Sequence, residues 1–339
     1  MNSAVKSKYR AAIIGCGRVA GDYDRFAKGQ WTVTHAGAYR FCARTDLVAA
    51  ADTSAEALSA FGGTWGVRNL YADYREMLAR MEPDIVSICL PPEAHLKAFE
   101  AACEAGARAI FLEKPVAQDL EEARRMPAVA GGRPVAVNYF RRWNPTLRSL
   151  REDLRMGVYG RPLRVTVHYV KGLVGNGSHF VDLLRWFFGE PVETRPLRIF
   201  DEPKGDPGAD FEMGFEGALV ATFINLPHPD YILQDLDIFT ERARLVMGQR
   251  GQKLLRFLPV EEPYYRMFPI LRLDGGVRET EWRNCSLRAV EELITCLEGD
   301  GNPSCTLDDG LRSLEICRWV LPESLAPAGG SRLAGGTSP

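Results

Sequence analysis

Residues 11–20 read Ala-Ala-Ile-Ile-Gly-Cys-Gly-Arg-Val-Ala, and this stretch decides the fold of the chain. The four leading apolar residues predict a buried strand, and the pattern Gly15-x-Gly17-x-x-Ala20 follows directly. In such a turn the first glycine permits the tight bend and the second lets a pyrophosphate approach the backbone. The third small residue lets the next helix pack against the sheet. The pattern therefore predicts a dinucleotide-binding turn, with helix N–H groups offered to the phosphates.

Short apolar runs alternate with helical patterns over the residues that follow. Strands are predicted at 47–51, 84–90, 109–112 and 134–137, and helices at 54–61, 73–81 and 93–105. Strands that alternate with helices favour a parallel sheet covered on both faces. We expect this first domain to span residues 1–140.

The pattern changes beyond about residue 160. Residues 163–170 alternate as a strand does, 176–188 favour one helix, and several strand-like runs lie between 192 and 257. This predicts a second α/β domain, residues 141–325, with a largely antiparallel sheet. Residues 326–339 are rich in Gly, Ser, Ala and Pro, which is typical of a disordered tail. Two domains agree with a length of 339 residues.

Composition excludes several classes of partner. The chain has 42 Lys and Arg against 44 Asp and Glu, a formal net charge of −2, which predicts no binding to nucleic acid or to an anionic membrane. It contains no apolar run long enough for a transmembrane helix and no signal-peptide pattern. Eight cysteines without paired spacing predict reduced thiols in a cytoplasmic protein. No cluster of residues with metal-ligand spacing is present, so we expect no metal.

An acidic residue ends the second predicted strand, in Ala49-Ala50-Ala51-Asp52. A carboxylate there can accept hydrogen bonds from both ribose hydroxyls of NAD, and neither Arg nor Lys adjoins Asp52 to meet a 2′-phosphate. The sequence therefore predicts NAD as the cofactor, with NADP less favoured. The alternative is that Asp52 only caps the following helix.

The separation of Gly17 from Asp52 exceeds the about 20 residues that are usual for this motif. A polar segment at residues 21–34, which contains Tyr23 and Trp31, accounts for the excess. One interpretation is that this insertion covers an active site and contacts the substrate. The other is a surface insertion that the fold merely tolerates.

Glu113 and Lys114 follow another predicted buried strand, in Phe111-Leu112-Glu113-Lys114-Pro115. This position lies at the carboxyl edge of the sheet, where open α/β folds bind ligands. Neighbouring residues of a strand face opposite sides, so at most one of the two side chains is expected to point into a cleft. The alternative is a surface ion pair.

Taken in order, these motifs resemble the glucose–fructose oxidoreductase / inositol dehydrogenase / rhizopine-catabolism (Gfo/Idh/MocA) family. The resemblance spans about residues 10 to 320 and rests on six elements: Gly15-x-Gly17-x-x-Ala20, Asp52, Cys89-Leu90-Pro91-Pro92-Glu93-Ala94-His95, Glu113-Lys114-Pro115, Asn138 to Pro145 and Gly177 to Trp186. It implies an N-terminal Rossmann domain and a C-terminal α/β domain whose large open sheet often mediates homodimers or homotetramers. It also implies hydride transfer between NAD(P) and a carbinol carbon of a sugar, amino sugar, nucleotide-linked sugar or cyclitol.

The resemblance implies roles for individual residues as well. Lys114 would contact the reacting hydroxyl and stabilise a developing alkoxide, and His179 would act as acid or base. The expected cofactor-binding residues are Gly15, Gly17, Arg18, Val19, Asp52, Leu90, Pro91, His95, Glu113 and Lys114. The expected substrate-binding residues are Tyr23, Trp31, Asn138, Arg142, Asn176 and His179.

One position departs from the family pattern, which is often Asp-x-Gly-x-His. The corresponding run is Gly175-Asn176-Gly177-Ser178-His179, so Gly175 stands where the family has an acid. Asn176 can hydrogen-bond a substrate, but it cannot carry charge or take a proton. The departure puts the usual three-residue arrangement in doubt and leaves a shifted reaction or an unusual substrate open.

Two functions of other classes remain open at this point. One is a redox-neutral glycosidase, in which bound NAD oxidises the sugar transiently so that the leaving group can be eliminated. The other is a non-catalytic binding protein that senses the cofactor. Net formation of NADH separates dehydrogenation from the first alternative, and the presence of both Lys114 and His179 argues against the second.

We predict that NAD binds more tightly than NADP, because a 2′-phosphate would face the Asp52 carboxylate without a neighbouring cation. Asp52→Ala should weaken NAD binding and reduce the difference in affinity between NAD and NADP. Calorimetric titration of both cofactors into the wild type and the variant measures this. Tighter binding of NADP by the wild type would overturn the prediction.

Overall fold

Six parallel strands form the first sheet. They are β1 (Tyr9–Ile14), β2 (Thr45–Ala51), β3 (Asn69–Tyr71), β4 (Ile85–Ile88), β5 (Ala109–Leu112) and β6 (Val135–Val137). The computed structural model describes residues 8–25, 27, 29–200, 205–227, 230–264, 267–299 and 301–321, so the predicted tail at 326–339 lies outside the described residues. The strand order β3-β2-β1-β4-β5-β6 reverses direction between β1 and β4. Ligands of doubly wound sheets bind in the crevice at such a reversal.

Five helices connect these strands: α1 (His35–Phe41), α2 (Ala55–Trp65), α3 (Tyr74–Met81), α4 (His95–Glu104) and α5 (Leu120–Ala130). Short polar residues cap two of these helices: the side chains of Ser54 and Asp73 accept from backbone N–H groups in the first turns of α2 and α3. Strands β1, β4 and β5 are almost entirely buried, which explains why they appear as continuous apolar runs. The parallel, doubly covered sheet is confirmed.

The first helix does not begin at the glycine-rich turn. Among the described residues of 18–34 there is a short 3-10 turn at Asp22–Asp24, and α1 begins at His35 with Thr34 as its cap. The insertion thus lies between the glycine-rich turn and the first helix, so the N-terminal N–H groups of α1 do not adjoin the turn in sequence. The carboxylate of Asp24 organises this insertion: it is buried and accepts from the hydroxyls of Thr32 at 2.5 Å and Thr34 at 2.6 Å.

Eight strands form the second sheet. They are β7 (Pro162–Val170), β8 (Glu193–Phe200), β9 (Gly208–Gly214), β10 (Val220–Leu226), β11 (Gln234–Thr240), β12 (Arg244–Gly248), β13 (Lys253–Val260) and β14 (Ile270–Glu279). Their order is β14-β13-β12-β11-β7-β10-β9-β8, and every pair is antiparallel except β7 with β10. The largely antiparallel open sheet is confirmed. Strand β14 was not predicted, since it is an edge strand with no buried face and so shows no alternation.

Two helices, α6 (Pro145–Arg155) and α7 (Ser178–Phe188), belong to this second half, and a π-helical turn at Leu173–Gly177 precedes α7. The helix expected at 176–188 is thus divided between the π turn and α7. The last helices are α8 (Cys285–Leu297), which packs on α1, and α9 (Leu307–Val320), which packs on both α5 and α7. The C-terminal segment therefore returns to the first sheet, and the domain boundary at residue 140 stays a prediction.

Two general features concern thiols and membranes. All eight cysteines lie within the described residues, none of them forms a disulfide, and seven of them are buried. Within the described ranges no helix combines the length and the apolar character needed to cross a membrane.

A buried ion-pair network joins α7 and α9 to the segment after β6. The guanidinium of Arg142 donates to both oxygens of Asp182 at 2.8 and 3.0 Å, to Asp309 at 3.0 Å and to the carbonyl of Ser304 at 2.9 Å. Arg142 and Asp182 are almost inaccessible to solvent. Removing one partner from such a pair is costly, because the other charge stays buried.

We predict that Asp182→Ala lowers the free energy of unfolding by about 3 kcal/mol, since Asp309 still pairs with Arg142. Urea denaturation followed by circular dichroism measures the change. The control is Glu76→Ala, which removes the exposed pair with Arg80 and should have little effect. Equal stability of the two variants would contradict the prediction.

Candidate active site

A pocket of about 240 Å³ lies where the insertion, the carboxyl ends of β5 and β6, α7 and the second sheet meet. Its walls come from segments that are far apart in the sequence. The lining residues are Val19, Tyr23, Val33, Glu113, Lys114, Asn138, Phe140, His179, Arg250, Trp282, Cys285 and Ser286. Lys114 and His179, which the sequence predicts to act together, thus share one pocket with Asn138 and Tyr23.

Glu113 is buried directly after β5, and its carboxylate is held by side chains from two other elements. The Nε2 atom of His35 lies 3.0 Å from its Oε1, and the amide of Asn138 donates to the same oxygen at 2.6 Å. Burial raises the pKa of Glu113, but these hydrogen bonds and the charge of Lys114 bring it below its ordinary value. Glu113 therefore carries a stable negative charge beneath the pocket.

A chain of hydrogen bonds leads to Glu113 from inside the first sheet. The hydroxyl of Tyr39 lies 2.8 Å from Oγ of Ser87, and that atom lies 2.8 Å from Nδ1 of His35. The tautomer of His35 that carries its proton on Nε2 fits this chain, because Nδ1 then accepts from Ser87 and the Nε2–H donates to Glu113. Burial raises the pKa of Tyr39, so its hydroxyl keeps its proton as a donor.

Lys114 extends from the end of β5 into the pocket. Its Nζ donates to the carbonyl of Gly175 at 2.5 Å. Burial lowers the pKa of Lys114, while the carboxylates of Glu113 and Asp206 raise it and the guanidinium of Arg141 lowers it. An amine with a lowered pKa releases its proton more readily than an ordinary lysine does, which suits a group that exchanges a proton with a substrate oxygen.

His179 lies near the start of α7, at the pocket wall. Its ring packs edge-on against Tyr139 and Phe140, each with a centroid distance of 5.6 Å. Burial lowers the pKa of His179 well below 6.5, and the positive charges of Lys114, Arg141 and Arg250 lower it further. The imidazole is therefore neutral and can accept a proton from a substrate hydroxyl.

Two arginines contribute positive charge on this side of the pocket. Arg250 lies on the turn between β12 and β13 with a φ of 62°, and its exposed side chain lines the pocket. Arg141 is buried, and its guanidinium lies between the rings of Phe140 and Phe180 at 4.8 and 5.0 Å from their centroids. Its Nη2 donates to Gln234, while Nε and Nη1 have no partner among the described residues.

The insertion reaches the pocket and is attached to the segment before α8. The backbone N–H of Thr32 donates to the side chain of Asn284 at 2.9 Å, and the N–H of Asn284 donates back to the Thr32 carbonyl at 2.7 Å. Tyr23 lines the pocket. Trp31 instead packs against Trp282, a lining residue, with a centroid distance of 6.1 Å. The insertion thus forms part of the wall, and its closing on a substrate stays a prediction.

The glycine-rich turn fits a dinucleotide. Gly15 has a φ of 92°, and a Cβ there would lie 2.7 Å from the carbonyl of Cys89, so only glycine fits. A Cβ on Gly17 would meet nothing within 4 Å, which leaves open space above the turn. A second cavity of about 340 Å³ lies beside it, lined by Gly17, Arg18 and residues of α2. The turn contributes residues to both cavities, so a ligand bound along it can reach from one to the other.

Asp52 lies at the end of β2, beside this turn. One carboxylate oxygen accepts from the N–H of Cys16 at 2.7 Å and the other from the N–H of Ser54 at 2.8 Å. Asp52 therefore holds the backbone of Ser54, the residue that caps α2, and also braces the glycine-rich turn. Each of its oxygens can still accept a second hydrogen bond from a ribose.

His95 positions the loops next to the turn. Its ring lies between the carbonyls of Leu90 at 2.8 Å and Val116 at 3.2 Å and is fully buried. It thereby joins the loop after β4, which carries Leu90 and Pro91, to the segment that follows Lys114. Its side chain is enclosed by protein, and its place among the cofactor-binding residues stays a prediction.

Two predicted substrate residues lie elsewhere than expected. Arg142 is wholly engaged with Asp182, Asp309 and Ser304 and does not line the pocket. Its predicted substrate contact is wrong, since its charge is already neutralised in the core. Asn176 faces Gln234, whose amide donates to it at 3.1 Å.

Sequence reasoning did not single out three residues that the structure brings to the site: His35, Asp206 and Arg250. His35 is an isolated histidine in the sequence, and its partners lie 52 and 78 positions away. Asp206 and Arg250 lie in turns of the second domain, without any motif around them. Only the spatial contacts reveal them.

Comparison with known proteins finds similarity to members of the same family. Residues 9–139 match the model of an oxidoreductase family with an NAD-binding Rossmann fold. D-apiose dehydrogenase of Paraburkholderia graminis is 29% identical over 344 aligned positions, covering 91% of this chain and 86% of that protein. D-glucoside 3-dehydrogenase of Escherichia coli is 34% identical, over 47% of this chain and 43% of that protein.

Solved structures share the whole architecture. UDP-N-acetylglucosamine 3-dehydrogenase of Acidithiobacillus ferrooxidans superposes with a TM-score of 0.73 at 20% identity, covering 92% of this chain and 96% of that one. A putative myo-inositol dehydrogenase of Sinorhizobium meliloti gives a TM-score of 0.70 at 21% identity, over 92% and 95% of the two chains. At these identities the likeness concerns the fold.

We predict that Arg250→Gln raises the pKa of His179, because it removes one of the charges that lower it. If neutral His179 is the proton acceptor in oxidation, the acidic limb of the kcat/KM profile should move to higher pH. The control is Arg68→Gln, which removes an exposed charge outside the pocket. An acidic limb that stays in place in Arg250→Gln would contradict the assignment.

Proposed function

We infer that this chain, which belongs to the Gfo/Idh/MocA family of NAD(P)-dependent oxidoreductases, oxidises or reduces one carbinol carbon of a sugar, amino sugar, nucleotide-linked sugar or cyclitol. One observation carries the proposal: the amine of Lys114 and the imidazole of His179 line a single pocket beside the glycine-rich turn. The relatives support the substrate class, since they are named for activities on apiose, glucosides and inositols.

The reaction needs a hydride acceptor and a proton acceptor together. Bound NAD(P) supplies the first, because its nicotinamide takes or gives a hydride. His179, held neutral by its surroundings, takes the proton from the substrate hydroxyl. Lys114 stabilises the negative charge that develops on the same oxygen.

Other residues are proposed to orient the substrate. Asn138 lines the pocket, and its Oδ1 atom is buried without a hydrogen-bond partner among the described residues. This oxygen can therefore accept from a hydroxyl or amide of a ligand. Tyr23 offers a half-exposed ring to one face of a sugar. In this proposal Trp31 and Asn176 act indirectly. Trp31 packs against the pocket residue Trp282, and Asn176 accepts from Gln234.

The cofactor is proposed to be NAD rather than NADP, on the strength of Asp52. The proposed assembly is a homodimer or homotetramer formed by the second sheet. Its outward face keeps some apolar residues partly exposed, among them Ile224, Phe239 and Val246. The proposed compartment is the cytoplasm, which agrees with eight cysteines that form no disulfide.

The direct test is a panel of sugars, cyclitols and nucleotide-linked sugars incubated with the protein and NAD, followed by the absorbance of reduced nicotinamide. The proposal expects reduced cofactor to accumulate with one structural class. Conversion of a glycoside without reduced cofactor would support the redox-neutral alternative, which the named relatives do not favour.

We predict that Lys114→Ala and His179→Ala each lower kcat by about two orders of magnitude or more, because each removes a group that moves or stabilises the reacting proton. NAD affinity should barely change. Matched controls are Lys97→Ala and His168→Ala, which lie outside the pocket. Full activity of His179→Ala would assign the proton acceptor elsewhere.

A further inference from the structure

A carboxylate from the second sheet holds the π-helical turn that precedes α7. Asp206 lies just before β9, and its two oxygens accept from the N–H groups of Val174 at 3.0 Å and Gly175 at 2.7 Å. The carbonyl of Pro207 adds a third contact, from the N–H of Leu173 at 2.8 Å. The segment before β9 is therefore hydrogen-bonded to the backbone of the π-helical turn.

Two glycines make this approach sterically possible. A Cβ on Gly172 would lie 2.0 Å from Cγ of Asp206, and a Cβ on Gly175 would lie 2.8 Å from its Oδ2. Both distances are shorter than real contacts of a Cβ atom. The space into which a side chain at position 175 would project is thus occupied by the Asp206 carboxylate.

The π-helical turn is connected to both reactive side chains, Lys114 and His179. The carbonyl of Gly175 accepts from Nζ of Lys114, and the same peptide segment runs into α7, which carries His179. The hydroxyl of Ser178 donates back to the carbonyl of Val174 at 2.6 Å, which joins the turn to the helix. A shift of Asp206 would therefore move two groups together: the carbonyl of Gly175, which accepts from Lys114, and His179 near the start of α7.

We propose that Asp206 is a positioning residue for this reaction, and that it supplies, from the segment before β9, the carboxylate that the family pattern places at position 175. The inference rests on the proposed function, because it concerns the orientation of Lys114 and His179. Asp206 does not line the pocket, so it acts through the turn and through its charge.

Charge adds a second consequence. Burial lowers the pKa of Lys114, and the carboxylate of Asp206 opposes this together with Glu113. The other groups near Lys114 or Asp206 are Arg141, Cys317, His179 and Arg318. Removing the charge of Asp206 should therefore lower the pKa of Lys114 further, whereas a purely steric role would leave it unchanged.

The test compares Asp206→Asn with Asp210→Asn, a matched change four residues later on β9, whose carboxylate accepts from the backbone N–H of Asn225 instead. In the cofactor-free protein, competitive labelling with acetic anhydride and peptide mass spectrometry reports the pKa of Lys114. We expect Lys114 to become reactive at lower pH in Asp206→Asn only. We also expect kcat of Asp206→Asn to fall by about tenfold to 100-fold with NAD affinity unchanged.

A second experiment moves the carboxylate from position 206 to position 175. Gly175→Asp alone should be inactive, because its new side chain meets Asp206. The double variant Asp206→Ala/Gly175→Asp should recover activity lost in Asp206→Ala, since the acid returns at the family position. Wild-type kcat and an unchanged labelling profile in Asp206→Asn would overturn the inference while leaving the proposed function intact. A wild type without activity on the panel would count against the proposed function, and the labelling arm would still decide the inference about Lys114.

Discussion

The buried carboxylate of Glu113 is the constraint on which the site depends. A charge that is removed from water must be paired or hydrogen-bonded, or it destabilises the fold. Glu113 meets this requirement with His35 from α1 and Asn138 from the segment after β6, while Ser87 of β4 orients His35. The strand ends around the crevice are thereby joined at one point, directly beneath Lys114.

This arrangement explains why a long insertion does not disrupt the site. His35 must reach Glu113 whatever precedes it, so α1 keeps its place while residues 18–34 leave the sheet and fold around Asp24. The displaced segment then finds contacts on Asn284 and forms one wall of the pocket. A carboxylate also holds the site at Asp206, which precedes β9 and occupies the space into which a side chain at position 175 would project.

The sequence predicts the first sheet well because its strands are buried on both faces and therefore read as apolar runs, as in Ile85–Ile88. It also predicts Lys114 and His179, since each lies in a motif. It does not predict the pairing of Arg142 with Asp182, because a basic stretch looks the same whether its charges meet solvent or a distant carboxylate. It misses β14 for want of a buried face, and it misses His35 and Asp206 because their partners are brought near only by the tertiary fold.

The central claim is that the pocket beside Lys114 carries out net hydride transfer between a carbinol carbon and NAD(P). The most direct measurement supplies the substrate class with deuterium on the carbinol carbons and follows the label by mass spectrometry. The account predicts that deuterium appears on the released reduced nicotinamide, with a carbonyl product formed in equal amount and no transfer by Lys114→Ala. Retention of the label in a converted sugar, with no reduced cofactor released, would contradict it.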